Sequence, residues 1–234
     1  MGSEMCIRDR LWTWAELQGY FSMFMPGASN FEPEYNIAPT REIWALMPEN
    51  DGLKLTRARW GLVPAWWKKP FKDLPSAFNA RSESAAERPF FRSAFKQRRC
   101  IIPVSGFYEW TGKKGERKPH YFTRQDGKPL FLAGLYEDHT DAETGEITTS
   151  TVILTCAANR FMSHFHDRMP VILEPDDMQD WVETGSEALL SPADEDVLQE
   201  WAVDPKVNSS RYQGSDATDP WEEMPTLGLA QPKG

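Results

Sequence analysis

Apolar residues recur along this chain mostly with a period near two, in short runs set off by Gly, Pro, Asn and Asp. Arg41–Met47 and Leu53–Trp60 read as strands joined by the turn Glu49-Asn50-Asp51-Gly52. Cys100–Trp110 reads as a strand broken at Pro103 and Gly106. His120–Arg124 and Leu130–Tyr136 have the look of a hairpin around Gln125-Asp126-Gly127-Lys128. Thr148–Ala157 is apolar and rich in β-branched residues, and Met169–Leu173 makes a shorter strand. Helical spacing is scarcer. Trp14, Leu17, Phe21 and Phe24 share one face of Trp12–Phe24, which Pro26-Gly27 ends. Ala85–Lys96 predicts a short helix, Pro175-Asp176-Asp177 opens another through about Val182, and Ser191-Pro192-Ala193-Asp194 opens one through Trp201. Glu32–Thr40 reads as turns. Many short strands and few helices predict an α+β domain built on a curved mixed or antiparallel sheet. Residues 1–5 are expected to be a leader or an extension foreign to the domain, 6–213 the domain, and 214–234 a flexible acidic tail.

The 234 residues suffice for one well-buried core. No apolar run approaches the roughly 20 residues of a membrane helix, so no membrane partner is expected. Three scattered cysteines, Cys6, Cys100 and Cys156, give no disulfide framework and no CxxC pair. A reduced, cytoplasmic location is expected.

The formal net charge of −9 hides an asymmetry. From Glu174 to Gly234 there are 15 Asp/Glu against 3 Lys/Arg, whereas Lys54–Arg99 holds 12 bases and 3 acids. That basic stretch also carries Trp60, Trp66 and Trp67. Cations for phosphates and π-faces for unstacked bases suit a single-strand binder. A solvated basic face with its tryptophans in the core explains the same pattern, and composition does not choose between them.

The chain has no P-loop, GxGxxG or GxSxG string. His164 and His166, near Cys156 and Asp167, have no second ligand cluster at metal-site spacing, so neither metal nor cofactor is expected. Cys100 and Cys156 lie in apolar runs, where cysteine is usually an inert core residue rather than a protease nucleophile.

A constellation spread over the chain says more. It comprises Met5-Cys6 with Arg8, Tyr35-Asn36-Ile37-Ala38-Pro39, Trp60-Gly61-Leu62-Val63-Pro64-Ala65-Trp66-Trp67, Phe78-Asn79-Ala80-Arg81-Ser82-Glu83, Gly106-Phe107-Tyr108-Glu109-Trp110 and His164-Phe165-His166-Asp167-Arg168-Met169-Pro170. In this order and spacing, over about Met5–Gln213, these strings resemble the SRAP family of SOS response-associated peptidases, or abasic-site processing proteins. The resemblance implies a barrel-like sheet and a protein that captures abasic sites in single-stranded DNA through an N-terminal cysteine. It makes Cys6 the nucleophile, Glu109 the group that handles the amine proton, His166 an acid/base for the sugar, and Asn79 the residue that positions sugar or cysteine. Arg8, Arg81 and Arg168 would clamp phosphates, Trp66 and Trp67 would stack beside the lesion, and Asn36 and Pro39 would line the site. It further implies a bacterial monomer that gathers on the nucleoid during repair. The family reads Met-Cys-Gly-Arg where this chain has Met5-Cys6-Ile7-Arg8, and four residues precede Met5. While they remain, the Cys6 nitrogen is an amide, so removal of the leader is part of the expectation. Two rival readings stand: a cysteine-type peptidase acting on its own leader or on other peptides, and a non-catalytic single-strand-binding module.

Overall fold

The computed structural model describes residues 6–9 (as backbone), 34–50, 52–113 and 115–222. Its centre is a ring of five strands: β3 (Glu42–Glu49), β4 (Gly52–Trp60), β6 (Arg99–Val104), β9 (Leu130–Thr140) and β10 (Ile147–Ala157). Neighbours pair in the order β10-β4-β3-β6-β9, and β9 returns to β10, closing the barrel. One seam is parallel, where Ser150 and Thr151 face Arg59 and Trp60; the other four are antiparallel. Closure removes the free edges that an open sheet of this size would expose. Leu130–Leu135 is buried along its whole length, because this strand is packed on both faces. Gly134 makes that possible: a Cβ there would meet Ile102 Cδ1 at 2.8 Å and Val152 O at 3.1 Å.

Beyond the ring, β10 continues and is held on both sides. β5 (Asn79–Arg81) pairs with it in parallel over Ile153–Thr155, and β11 (Arg168–Pro170) pairs antiparallel over Thr155–Ala157. The two-residue strand β12 (Ile172–Leu173) adds to β9.

A second sheet has the order β13-β8-β7-β1-β2, from β13 (Leu198–Ala202), β8 (Lys118–Arg124), β7 (Gly106–Thr111), β1 (Cys6–Asp9) and β2 (Glu34–Ile37). Its alternation splits the core in two. Phe107 and Phe122 stack at 5.1 Å and belong to the barrel-side core, while Tyr108 and Tyr121 belong to a smaller cluster on the opposite face with Val203, Val207 and Ala217.

Three short helices, α1 (Ser82–Ala85), α2 (Arg92–Gln97) and α3 (Met178–Thr184), flank the barrel. Arg99 ties the last two together. Its buried guanidinium donates to the carbonyls of Phe95 and Lys96 at the end of α2, and to those of Trp181, Val182 and Glu183 in α3. Cation and donors both suit helix C-termini, where carbonyls lack intrahelical partners.

The strands at 41–47, 53–60 and 148–157 lie where periodicity puts them. Six expectations change. Pro103 does not break a strand: it lies inside β6 opposite Phe131, and the break falls at Ser105. His120–Arg124 and Leu130–Tyr136 are strands but not a hairpin: β8 pairs with β7 and β13, and β9 lies in the barrel wall. Ser191–Trp201 is not a helix; Leu198–Ala202 is an edge strand, because Trp201 and Leu198 pack against β8. Ala85–Lys96 splits into α1 and α2 around the Arg88-Pro89 break. Glu34–Ile37, expected as turns, is a strand on β1. The tail expected to be loose from 214 is anchored as far as Glu222: Ala217 is fully buried, Thr218 nearly so, and Val203 bridges Pro220. Tyr108 Oη donates to Ala217 O and Trp201 Nε1 donates to Thr218 O, so short polar sequence is held by the aromatic face it covers. The expected helix at Trp12–Phe24 lies outside the described residues.

Candidate functional site

β1 lies between β2 and β7, so Cys6 belongs to an interior strand of the second sheet rather than to an edge. Cys6 is opposite Tyr108, Ile7 opposite Phe107 and Arg8 opposite Gly106. One further rung beyond Cys6 reaches Glu109 on β7. Period-two alternation puts Glu109 on the barrel-side face with Phe107, where it is 5% exposed. Its cross-strand partner on β8 is His120. A carboxylate at that depth is suited to proton transfer, because neither of its charge states is fully solvated.

His120 is held from both ring nitrogens. Nδ1 lies 2.5 Å from Glu200 Oε1, and Nε2 lies 2.8 Å from Thr111 Oγ1. Its ring meets Phe165 edge-on at 5.1 Å, and Phe165 meets Phe122 at 5.0 Å. The segment 161–166 therefore rests on the same face as Glu109, and His166 follows directly. His166 Nδ1 lies 3.0 Å from the Arg168 backbone nitrogen and 3.2 Å from the Arg168 carbonyl, so that side of the ring is fixed on the Arg168 backbone. Asp167 Oδ1 stands 3.2 Å from the same Nδ1, ready to accept from it once the ring is protonated.

The extended end of β10 organises the remainder. Thr155 has Arg81 on one side and Pro170 on the other, and Asn79 lies two residues before Arg81. Arg168 forks onto Glu83, Nη1 to Oε1 at 2.7 Å and Nη2 to Oε2 at 2.8 Å, and also donates to Thr155 O. That hydrogen bond is the main cause holding the Glu83 carboxyl below its ordinary range. A phosphate at Arg168 must therefore compete with Glu83, whereas Arg81 is exposed and, though its charge also helps hold Glu83 low, makes no salt bridge among the described residues. Asn79 Oδ1, Trp67 Nε1 and Arg168 Nε are enclosed and have no hydrogen-bond partner among the described residues. Buried polar atoms are rarely left so; Asn36 Oδ1 and Arg98 Nε share the condition among the described residues, so it is not confined to the site.

The tryptophans divide. Trp60 is fully buried and its indole donates to Phe78 O, so it is core. Trp66 is 55% exposed, with Trp67 at 6.1 Å and Phe90 edge-on at 6.2 Å, and makes an aromatic platform. Asn36 does not present its side chain to a ligand. It is fully buried and its amide donates to Val207 O and Ser209 O, fastening β2 to the C-terminal segment. Pro39 lies in the turn after β2, and the side chain of Arg8 lies outside the described residues.

Cys100 and Cys156 are buried, and burial pushes their thiols up to about 12 and about 11. Neither yields thiolate near neutrality, which leaves Cys6 as the cysteine with a nucleophile's place. The sequence assigns no role to His120, nor to Glu83 within its motif string. His120 becomes significant only when β8 is set against β7, which local pattern does not specify.

The sequence profile of the family described as SOS response associated peptidase (SRAP) matches residues 5–210. The chain is 34% identical over 201 residues to abasic site processing protein YoaM of Bacillus subtilis, covering 83% of this chain and 88% of that protein. It is 32% identical over 156 residues to abasic site processing protein YedK of Escherichia coli, covering 65% and 67%. Among solved structures, a protein from Bordetella bronchiseptica superposes with a TM-score of 0.72 at 26% identity, covering 86% of this chain and 99% of that one.

Proposed function

Because this chain belongs to the SOS response associated peptidase family, we propose that it senses abasic sites in single-stranded DNA and captures them covalently through Cys6. The relatives YoaM and YedK are named abasic site processing proteins, which supports DNA carrying such sites as the partner. The observation that carries the reading is the register of β1: with Cys6 as first residue, its α-nitrogen lies at the rung next to Glu109.

The chemistry follows from the functional groups. An abasic deoxyribose opens to an aldehyde. The neutral α-amine of an N-terminal cysteine, of ordinary pKa near 7.7–8.0, adds to the aldehyde carbon. The carbinolamine loses water to give an imine. The Cys6 sulfur then adds to the same carbon while nitrogen takes a proton, closing a five-membered thiazolidine with one water released overall. Glu109 accepts the ammonium proton and returns it to the departing hydroxyl. His166 serves sugar ring opening, and the orphaned Asn79 Oδ1 accepts from the amine or a sugar hydroxyl. Arg81 and the Trp66–Trp67 pair hold the flanking strand. The reaction begins only after residues 1–5 are released, by initiation at Met5 and methionine removal or by self-processing.

The test is a denaturing gel after incubation with single-stranded DNA bearing one abasic site. A slow-migrating species with that strand alone, absent in Cys6→Ala, supports capture. Binding to the abasic strand with no covalent species in protein whose mass confirms Cys6 as first residue rejects it.

A further inference from the structure

Away from Glu109 and His166, the segment that links β4 to β5 closes over a cavity of about 400 Å³. Its lining includes Arg59, Gly61, Phe71, Lys72, Ser76 and Phe78 and contains no carboxylate. Arg59 is the unusual member. It is half-buried, its Nη1 donates to Gly61 O at 2.6 Å, and its guanidinium lies 5.9 Å from the Phe71 ring centre. Glu42 is its cross-strand neighbour, but that carboxylate reaches Arg57 Nε at 3.6 Å. Among the described residues no carboxylate pairs with Arg59. Burial pulls its guanidinium below the ordinary value, as it does for Arg99. Half-buried, and without a carboxylate partner among the described residues, this guanidinium can take an anion that arrives from outside.

The backbone is shaped around that guanidinium. Gly61 has φ +127°, and a Cβ there would come within 2.7 Å of Arg59 Nη1 and 3.1 Å of the Phe78 ring. Glycine thus allows Arg59 to lie against the turn. The cavity holds a planar fork for phosphate, two aromatic rings for a base and the Ser76 hydroxyl for a sugar, in a volume suited to one nucleotide. Phe78 directly precedes Asn79 in sequence, and the exposed Trp66 belongs to the same linking segment as the cavity wall.

We infer that the Arg59–Phe71–Phe78 cavity is a subsite for one nucleotide of the single strand, its phosphate on Arg59 with Lys72 at the rim. The inference rests on the reading that this protein binds single-stranded DNA, but it does not require covalent capture. It is therefore tested with undamaged strands, so that loss of capture and loss of the subsite are separate results. Fluorescence anisotropy would follow a labelled, undamaged oligonucleotide against salt for the wild type, Arg59→Gln and Lys72→Gln. Arg59→Gln is expected to weaken binding about 5- to 20-fold and to reduce the slope of log K against log salt by about 0.7, the value for one phosphate contact on a single strand. Lys72→Gln, on an exposed side chain with no fold to lose, is expected to weaken binding about 2- to 4-fold. Unchanged affinity and slope in both variants would overturn the subsite. So would a free deoxynucleoside monophosphate that binds in an Arg59-dependent way while the strand does not, since the cavity would then serve free nucleotides.

Discussion

Glu109 and Glu83 are both carboxylates of the site region, and their surroundings give them different work. Glu109 is enclosed on the face that carries Phe107, with His120 opposite. Replacing it with Gln keeps shape and removes the base. Positioned proton transfer is typically worth 10²–10⁴-fold, so Glu109→Gln should slow covalent capture by about 10² or more while leaving non-covalent affinity for the abasic strand within about 2-fold. Single-turnover gels and anisotropy on the same preparation check this; equal losses in both would mean that Glu109 holds structure instead. Glu83 is half-exposed and carries the fork of Arg168. Its carboxyl is held low in the folded chain, chiefly by that hydrogen bond, so the folded state binds its proton less readily than the unfolded chain. The resulting stabilisation is fully present above the ordinary carboxylate range of about 4.3 and is lost as pH falls below it. Melting temperature measured from pH 7 to pH 3 should fall less steeply in Glu83→Gln than in the wild type, with the difference shrinking in high salt because the pair is solvent-accessible. Parallel curves would remove the pair from the stability of this corner.

β7 is the element on which sequence and site meet. Its alternation of barrel-side Phe107 and Glu109 with Tyr108 and Trp110 on the other face is legible in the string Gly106–Trp110 alone. Which strands flank it is not. The run at 120–136 has hairpin spacing and a good turn at Asp126-Gly127, yet each arm pairs elsewhere, because burying Leu130–Leu135 on both faces outweighs what a local ladder offers. Trp201 and Leu198, spaced for a helix, join a strand for the same reason: β8 offers an edge to be covered. The candidate site residues were legible through motif resemblance, but the placement of Asn36 was not. Tyr-Asn-Ile-Ala-Pro identifies the string without showing that the amide faces inward onto Val207 and Ser209 carbonyls. The start of β7 shows how tightly the element is set. A Cβ on Gly106 would come within 2.3 Å of Phe122 O and 2.4 Å of the Tyr121 ring, and a backbone oxygen in a ladder has nowhere to go. Gly106→Ala should cost about 1–3 kcal/mol as overpacking. It should also shift β7 against β1, since Gly106 is the residue opposite Arg8. Urea unfolding gives the first quantity and capture rate the second; a stable variant with wild-type rate would show that the sheet yields there freely.

At the scale of the whole molecule, the C-terminal segment is both the acidic part of the chain and a structural cover. Acidic residues crowd Glu174–Gly234, while the bases gather in Lys54–Arg99 around the proposed DNA track. The cover is specific up to Glu222. Ala217 O accepts from Tyr108 Oη, Thr218 O accepts from Trp201 Nε1, and Trp221 N–H donates to Ala202 O. Gln213, just before it, accepts from the backbone N–H groups of Tyr35 and Asn36 and donates back to Asn36 O, locking β2 in place. Tyr108, which stands opposite Cys6, lies between the two, reaching Tyr35 O on β2 and Ala217 O on the cover. A chain ending at Gln213 should therefore lose the Trp201–Thr218 and Trp221–Ala202 hydrogen bonds, at about 1 kcal/mol each, and the apolar contact of Ala217, while the Tyr108 hydroxyl keeps Tyr35 O as its acceptor. For a chain of this size about 2 kcal/mol lowers the melting temperature by about 4–8 °C. A chain ending at Glu222 keeps every one of these contacts and should show no comparable drop. The functional consequence separates a cover from a mere stabiliser. If the segment seats Tyr108, the shorter chain should capture abasic DNA more slowly even at a temperature where circular dichroism shows it fully folded, because β7 would hold Glu109 less firmly beside the Cys6 rung. If capture by the folded fraction is unchanged, the acidic segment stabilises the second sheet without tuning the site that the sheet carries.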